Sequence, residues 1–110
     1  MAKGKTELLA GTLDLIVLRL LQGGPANGWE LSQRILAVSR DVLQVKIGSL
    51  YPALYRLEAR EWIKSEWGTS ENNRRAKYYS LTAAGRKQLN EEHETWKRFA
   101  AALELILRTG

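Results

Sequence analysis

The apolar residues in the first part of the chain follow a helical spacing in separate segments. In residues 8–21 they recur every three or four positions, which predicts a helix with one broad buried face. Two glycines and Pro25 end this helix. A second helical pattern covers about residues 28–37, and the side chain of Asn27 is a suitable N-terminal cap for it. Residues 38–44 show no sustained period and are predicted to form a turn.

A third helix is predicted at roughly residues 45–61, because apolar residues again recur at steps of three and four. The stripe expected to face the core consists of Ile47, Leu50, Leu54 and Leu57. Pro52 removes one backbone hydrogen bond within this segment. The regular helix therefore begins only around Ile47 or Gly48, or it is bent in its first turns.

Two short strands are expected next, because residues 62–67 and 76–81 alternate large apolar with polar side chains. The intervening residues 68–75 are rich in Gly, Ser, Thr and Asn and end in Arg74 and Arg75. These features predict a hairpin with a long, mobile, basic tip, of the kind called a wing.

The last segment predicts one long helix over residues 83–108, with Thr82 as its cap. Its apolar residues recur every seven positions in two adjacent rows. The rows form a seam that is interrupted at Glu92. The seam consists of Leu89, Trp96, Phe99, Leu103 and Ile106. A helix of this length extends about 39 Å, which is longer than a small domain is wide. It must therefore protrude or pack against a second chain.

Composition limits the function classes. The chain has 110 residues, no cysteine and one histidine, His93, so we expect one core, no disulfide, no metal site and a reducing cytoplasm. Neither a secretory signal nor a membrane span is expected. No nucleophile pattern, phosphate loop or dinucleotide fingerprint is present, so the expectation is a protein without cofactor or enzymatic activity. A net charge of +5 modestly favours a polyanionic partner.

The third helix and the hairpin together suggest sequence-specific DNA binding, because a helix can contact base edges while a basic hairpin contacts the backbone. The side of the helix away from the core supplies the candidates Lys46, Ser49, Tyr51, Tyr55 and Arg56, with Lys46 assigned to a phosphate. The wing supplies Asn72, Asn73, Arg74, Arg75 and Lys77 for phosphates or the minor groove. Of the adjacent Tyr78 and Tyr79, one should face the core.

Several motifs in this order resemble the PadR family of winged-helix transcriptional regulators. Residues 48–54 read Gly-Ser-Leu-Tyr-Pro-Ala-Leu and are followed by Arg-Leu-Glu at 56–58. Residues 75–85 read Arg-Ala-Lys-Tyr-Tyr-Ser-Leu-Thr-Ala-Ala-Gly. Residues 11–15 and 24–31 also match the pattern. Asn27 and Trp29 stand where His and Tyr are common, and Glu61 stands where the turn after the third helix often has glycine.

The resemblance implies a mainly α (α+β) fold, in which a winged helix-turn-helix domain at residues 1–82 carries a two-stranded wing. Residues 83–110 then form a long C-terminal dimerisation helix, as in the short subgroup of the family. It also implies a homodimer that places two recognition helices in successive major grooves of double-stranded DNA. We therefore expect a transcriptional repressor that binds a palindromic operator.

Two alternatives remain open at this point. A small aromatic effector could enter the cleft between the two chains and contact Trp96, which would make the protein a ligand-responsive sensor. Alternatively, the winged fold could act as a protein-interaction module that binds no DNA. The other tryptophans, Trp29, Trp62 and Trp67, are most simply interpreted as packing in the core or at the dimer interface.

Overall fold

The computed structural model describes residues 6–7 and 11–109. Four helices and a hairpin follow one another in the predicted order, accompanied by three two-residue strands. The helices are α1 (Thr12–Leu21), α2 (Gly28–Val38), α3 (Ile47–Ala59) and α4 (Ala83–Arg108), and the strands are β1 (Thr6–Glu7), β2 (Ala26–Asn27), β3 (Leu43–Gln44), β4 (Ile63–Thr69) and β5 (Arg75–Leu81). The predicted mainly α, α+β winged-helix fold is confirmed.

The first two helices follow their sequence patterns closely. Residues 8–10 of the predicted first helix lie outside the described residues, and α1 begins at Thr12. The cap predicted at Asn27 is present as a reciprocal pair: the Glu30 N–H donates to Asn27 Oδ1 (2.8 Å), and the Asn27 N–H donates to Glu30 Oε1 (3.0 Å). This capping box satisfies backbone donors that the helix itself leaves unpaired.

Helix α3 begins at Ile47, in agreement with one of the two alternatives that Pro52 left open, and ends at Ala59, two residues before the predicted end. Pro52 therefore lies in its second turn. Leu50, Leu54 and Leu57 are buried as expected, together with Ala53. The assignment of Ile47 to the core stripe is wrong, because its side chain is 44% exposed. Ile47 occupies the first helical position of α3, directly after the cap residue Lys46.

The turn between α2 and α3 uses two consecutive residues with left-handed backbone, Arg40 (φ 55°) and Asp41 (φ 66°). Their N–H groups donate to the carbonyls of Ala37 (3.1 Å) and Leu36 (2.8 Å), which closes the end of α2. Ser39 Oγ accepts a further bond from the Leu43 N–H at 2.9 Å. The segment predicted only as a turn also contains β3, which pairs in parallel with β1.

The wing belongs to a three-stranded antiparallel sheet of order β2-β5-β4 rather than to an isolated hairpin. Strand β2 pairs with the base of β5, with Ala26 opposite Tyr79. Both wing strands are longer than predicted, so the connecting loop shrinks from residues 68–75 to residues 70–74. Arg75 accordingly lies in β5 opposite Thr69, because main-chain pairing continues almost to the tip.

The corner between α3 and β4 is closed by Glu61, whose φ is 63°. The Glu61 N–H donates to the Glu58 carbonyl (2.9 Å) and the Trp62 N–H donates to the Leu57 carbonyl (3.1 Å). This pair of bonds normally accompanies glycine at the left-handed position. The missing glycine noted in the sequence therefore does not change the form of the turn.

Helix α4 begins against this same corner. The predicted cap is present, since Thr82 Oγ1 accepts from the Gly85 N–H at 2.9 Å and donates to the Glu61 carbonyl at 2.7 Å. Leu89 is buried in the core, whereas later residues of α4 are mostly exposed. Across residues 6–7 and 11–109, no helix has both the length and the apolar character needed to cross a membrane.

Candidate nucleic-acid interface

The exposed side of α3 is centred on Gly48, Pro52 and Tyr55, which recur at steps of four and three and are all exposed. A side chain at Gly48 would meet no atom within 4 Å, so this position leaves free space at the first turn of the helix. Ser49 and Lys46 are exposed beside it, and Lys46 is the N-terminal cap residue of α3. The N-terminus of a helix favours anions, which suits a phosphate near Lys46.

Two of the predicted helix residues lie toward its edges and make contacts within the chain. A side chain at Gly28 would lie 2.6 Å from the Tyr51 hydroxyl, so Tyr51 packs directly over the start of α2. On the other edge, Arg56 donates from Nη2 to Oδ1 of Asp14 on α1 at 2.7 Å. The five predicted residues therefore do not form one uniform surface: Tyr55, Ser49 and Lys46 face outward, while Tyr51 and Arg56 also join helices together.

The wing lies beside α3 through Glu58. The Ser65 hydroxyl on β4 donates to Glu58 Oε2 at 2.6 Å, and Lys77 Nζ on β5 lies 4.0 Å from Glu58 Oε1. Trp67 is opposite Lys77 in the sheet register. Because directly opposed residues share a face, Ser65, Trp67, Lys77 and Arg75 all lie on the side of the wing that faces α3.

The loop at the tip carries the remaining predicted wing residues, Asn72, Asn73 and Arg74, all exposed. Asn73 adopts a left-handed backbone (φ 60°) and its N–H donates to the Ser70 carbonyl at 2.9 Å. Asparagine tolerates this conformation better than most residues. The Ser70 N–H donates to the Arg74 carbonyl at 2.8 Å, so the loop is closed by its own hydrogen bonds.

Of the two adjacent tyrosines, Tyr79 faces the core and Tyr78 faces outward, which confirms the predicted alternation. Burial is the main cause that raises the pKa of the Tyr79 hydroxyl to about 12, and the nearby Glu58 carboxylate adds to this rise. The Tyr78 hydroxyl donates to the Thr69 carbonyl at 3.3 Å. Its ring therefore lies along the wing.

Trp29 and Trp67 do not pack in the core of the chain, because they are 64% and 58% exposed, so of the two predicted environments only a dimer interface stays a prediction for them. Only Trp62 packs partly against the core. Composition could not reveal this, since a tryptophan carries the same apolar ring in either environment. Trp67 instead stacks with Arg75, whose guanidinium carbon lies 4.6 Å from the ring centroid. The sequence could indicate this contact only through the hairpin register, which places Trp67 and Arg75 on one face and depends on the length of the loop.

The predicted seam on α4 divides into two parts. Leu89 lies in the core of the chain itself and has little surface left for a second chain. The other four residues are between 41% and 64% exposed. They are Trp96, Phe99, Leu103 and Ile106.

A groove of about 420 Å³ borders the start of this seam. It lies between α1, the C-terminal end of α2 and α4, and its apolar lining includes Leu15, Ile16, Ile35, Val38, Leu89 and Trp96. Within the described part of the chain, no group of three or more acidic, histidine or cysteine residues is arranged to hold a metal ion.

Known proteins share this arrangement. A curated relative from Lysinibacillus sphaericus, described only as "uncharacterized protein X", is 30% identical over 103 residues, covering 94% of each chain. The structure of a transcriptional regulator from Clostridium thermocellum has a TM-score of 0.82 at 32% identity, covering 89% of this chain and 92% of that one. A PadR family transcriptional regulator from Eggerthella lenta has a TM-score of 0.79 at 29% identity, covering 91% and 85%.

Residues 17–91 match the family described as "transcriptional regulator PadR-like". This match confirms the resemblance inferred from the motifs and agrees with the expectation of a protein that is not an enzyme. With its exposed α3 and adjacent wing, the chain belongs to the PadR-like family of DNA-binding transcriptional regulators.

Proposed function

We propose that the chain is a repressor that binds a palindromic operator as a homodimer. The observation that carries this proposal is the position of the wing: Glu58 of α3 contacts Ser65 and Lys77, so the basic face of the wing adjoins the exposed helix. A duplex lying against α3 would then meet both elements at once.

In this proposal α3 enters the major groove and the wing contacts the adjoining backbone or minor groove. Ser49 and Tyr55 face base edges, the open position at Gly48 permits close approach, and Lys46 binds a phosphate. Arg56 uses one of its N–H groups on Asp14 and keeps others for a base or phosphate. Asn72, Asn73 and Arg74 bind the backbone from the loop.

The second copy is proposed to dock on the four exposed apolar residues of the α4 seam. These side chains share one side of a helix about 39 Å long, and an apolar stripe of this kind is normally covered. A two-fold dimer repeats the DNA surface at a fixed spacing. Residues 1–82 would then serve mainly DNA binding, and residues 83–110 dimerisation.

Selection of bound sequences from random DNA tests the proposal directly. We expect an inverted repeat whose half-sites are about one helical turn apart. Binding to the selected site should weaken steeply as salt rises, because phosphate contacts release counterions. Failure to bind any DNA, or binding that does not respond to salt, would instead favour the protein-interaction module.

The repressor assignment needs a separate measurement. Transcription in vitro from a promoter overlapping the selected site should fall as the protein is added, and a template with a scrambled site should be unaffected. An increase in transcript from the first template would identify an activator and contradict this part of the proposal.

A second candidate function is supported by the apolar groove beside Trp96. We propose that a planar aromatic compound binds there and releases the DNA. Tryptophan emission should change on titration with such compounds in the wild-type protein, and the change should be much smaller in Trp96→Phe, which keeps the other three tryptophans. An unresponsive wild-type protein would exclude this effector class.

A further inference from the structure

Trp67 exposes more than half of its surface on the wing, although tryptophan is among the most apolar side chains. The ring makes a cation–π contact there, because the guanidinium carbon of Arg75 lies over it at 4.6 Å from the ring centroid. A charged plane on an aromatic ring is a favourable electrostatic contact, and it restricts an otherwise flexible side chain.

The register explains why these two residues meet. Thr69 is opposite Arg75 and Trp67 is opposite Lys77, so Trp67 and Arg75 are diagonal neighbours on one face. The same face carries Ser65, which donates to Glu58 of α3. The stacked arginine therefore lies on the side of the wing that α3 also faces.

The opposite face of the wing is supported by a second aromatic ring. Tyr78 lies over Gly68, where an added side chain would come within 3.0 Å of the ring, and its hydroxyl donates to the Thr69 carbonyl. The hairpin is thus covered by one ring on each face just before the loop. The two rings therefore pack on both sides of the hairpin backbone from which the Arg75 side chain extends.

A stacked guanidinium has one face covered, but the N–H groups along its edge remain free to donate. This flat shape also suits a narrow slot lined with acceptors, because a thin guanidinium can enter it with its edge forward. A·T-rich DNA provides such a slot: its minor groove is narrow, strongly negative and lined with adenine N3 and thymine O2. Guanine places an amino group on the same groove floor.

We infer that Trp67 is a positioning residue that orients Arg75 for the narrow minor groove of A·T-rich DNA beside each half-site. This inference rests on the proposed operator binding and adds a sequence preference at positions that α3 does not contact. Arg74, the neighbouring arginine in the loop, supplies charge without this preference.

The test uses the full-length protein and three versions of the selected operator that differ only in the flanks under the wing. The flanks are A·T pairs, G·C pairs, or inosine·cytosine pairs, which have the major groove of G·C without the guanine amino group. Wild type should prefer A·T over G·C flanks by about fivefold to tenfold, within the usual cost of a changed base pair, and inosine·cytosine should restore most of the affinity.

Variants separate positioning from charge. Trp67→Leu and Arg75→Lys should reduce the flank preference, the ratio of affinities for A·T-flanked and G·C-flanked operators, to less than about two. Trp67→Phe should retain part of the preference. Arg74→Ala should weaken binding to all three duplexes and keep the preference. Thermal unfolding of each variant identifies those whose fold is altered.

Equal wild-type affinity for all three duplexes would overturn this inference and leave operator binding intact. A preference that persists in Trp67→Leu would also overturn it, because Arg75 would then need no aromatic support. Absence of binding to any DNA would overturn the proposed function as well, so the two failures are distinguishable.

Discussion

Arg56 on α3 and Asp14 on α1 are 42 positions apart in the chain, yet they form a charge-assisted hydrogen bond of 2.7 Å. The Asp14 side chain is only 12% exposed, whereas that of Arg56 is 47% exposed. The bond therefore joins exposed α3 to a carboxylate near the core, and it holds the Arg56 guanidinium on the side of α3 next to α1.

Asp14→Ala should lower the free energy of unfolding by about 1.5–3 kcal/mol, the usual range for hydrogen bonds to charged groups. Urea denaturation of this variant, of Arg56→Ala and of the double variant measures the coupling between the two side chains. Glu104→Ala is the control: it breaks an exposed 3.7 Å pair with Arg108 and should cost less than about 0.5 kcal/mol. Strictly additive effects of Asp14→Ala and Arg56→Ala would contradict the coupling.

Arg56→Ala should also reduce discrimination between the selected operator and a scrambled site, by about 1–3 kcal/mol if its contact is bidentate. Arg74→Ala should weaken binding to both sites alike. It should also reduce the slope of log affinity against log salt concentration by about one. Binding isotherms at several salt concentrations measure both quantities. The same response in the two variants would show that helix and wing do not divide base and backbone contacts as proposed.

Glu61→Gly should raise the free energy of unfolding by about 0.5–1 kcal/mol. A left-handed backbone costs a non-glycine residue about 1–2 kcal/mol, and the greater freedom of unfolded glycine offsets part of the gain. The matched control is Ala59→Gly, which places glycine at the last helical position of α3 and should destabilise by about 1 kcal/mol. Thermal and urea unfolding compare the two, and destabilisation by Glu61→Gly would show that its side chain has a stabilising partner.

The stability of the protein should decrease between pH 10 and pH 12 because of Tyr79. The unfolded chain loses this proton near pH 10, while the folded chain keeps it until about pH 12, so rising pH favours unfolding in this window. The contribution of Tyr79 to the free energy of unfolding is fully present below pH 10. Between pH 10 and pH 12 it is lost at up to about 1.4 kcal/mol per pH unit. Tyr79→Phe should show a flatter decline above pH 10 and run parallel to wild type at pH 7–9.

Leu103→Glu should convert a dimer into a monomer at micromolar concentration, raising the dissociation constant at least about 100-fold by placing an unpaired charge on the seam. Leu105→Glu is the control, because position 105 lies on the opposite side of α4 although its leucine is 63% exposed. Analytical ultracentrifugation over a concentration series measures the association. Wild-type protein that is monomeric throughout would contradict the seam as a dimer interface.

The sequence predicted the elements with strong local signals. The caps at Asn27 and Thr82 depend on residues three positions away, and the length of α4 depends on an uninterrupted helical pattern. Such features need no knowledge of the rest of the fold. Helix α3 and the wing could be predicted as elements for the same reason, because their motifs are contiguous.

The missed features depend on residues that are distant in sequence. A strand as short as β2 has no periodicity and exists only because β5 lies beside it. The bond from Arg56 to Asp14 requires the packing angle between α1 and α3. The exposure of Trp67 follows from how far the hairpin extends beyond the core, which its composition does not encode.

Gly85 sets the direction in which α4 leaves the domain. A side chain there would collide with the carbonyl oxygen of Trp62, so the first turn of α4 crosses directly over the corner after α3. A change of 5° in that crossing would displace the far end of a 26-residue helix by roughly 3 Å, since it acts as a lever about 39 Å long. In the proposed dimer, the geometry at this one junction would therefore set the distance between the two α3 helices, and with it the half-site spacing that the protein prefers, without any change in the residues proposed to contact DNA.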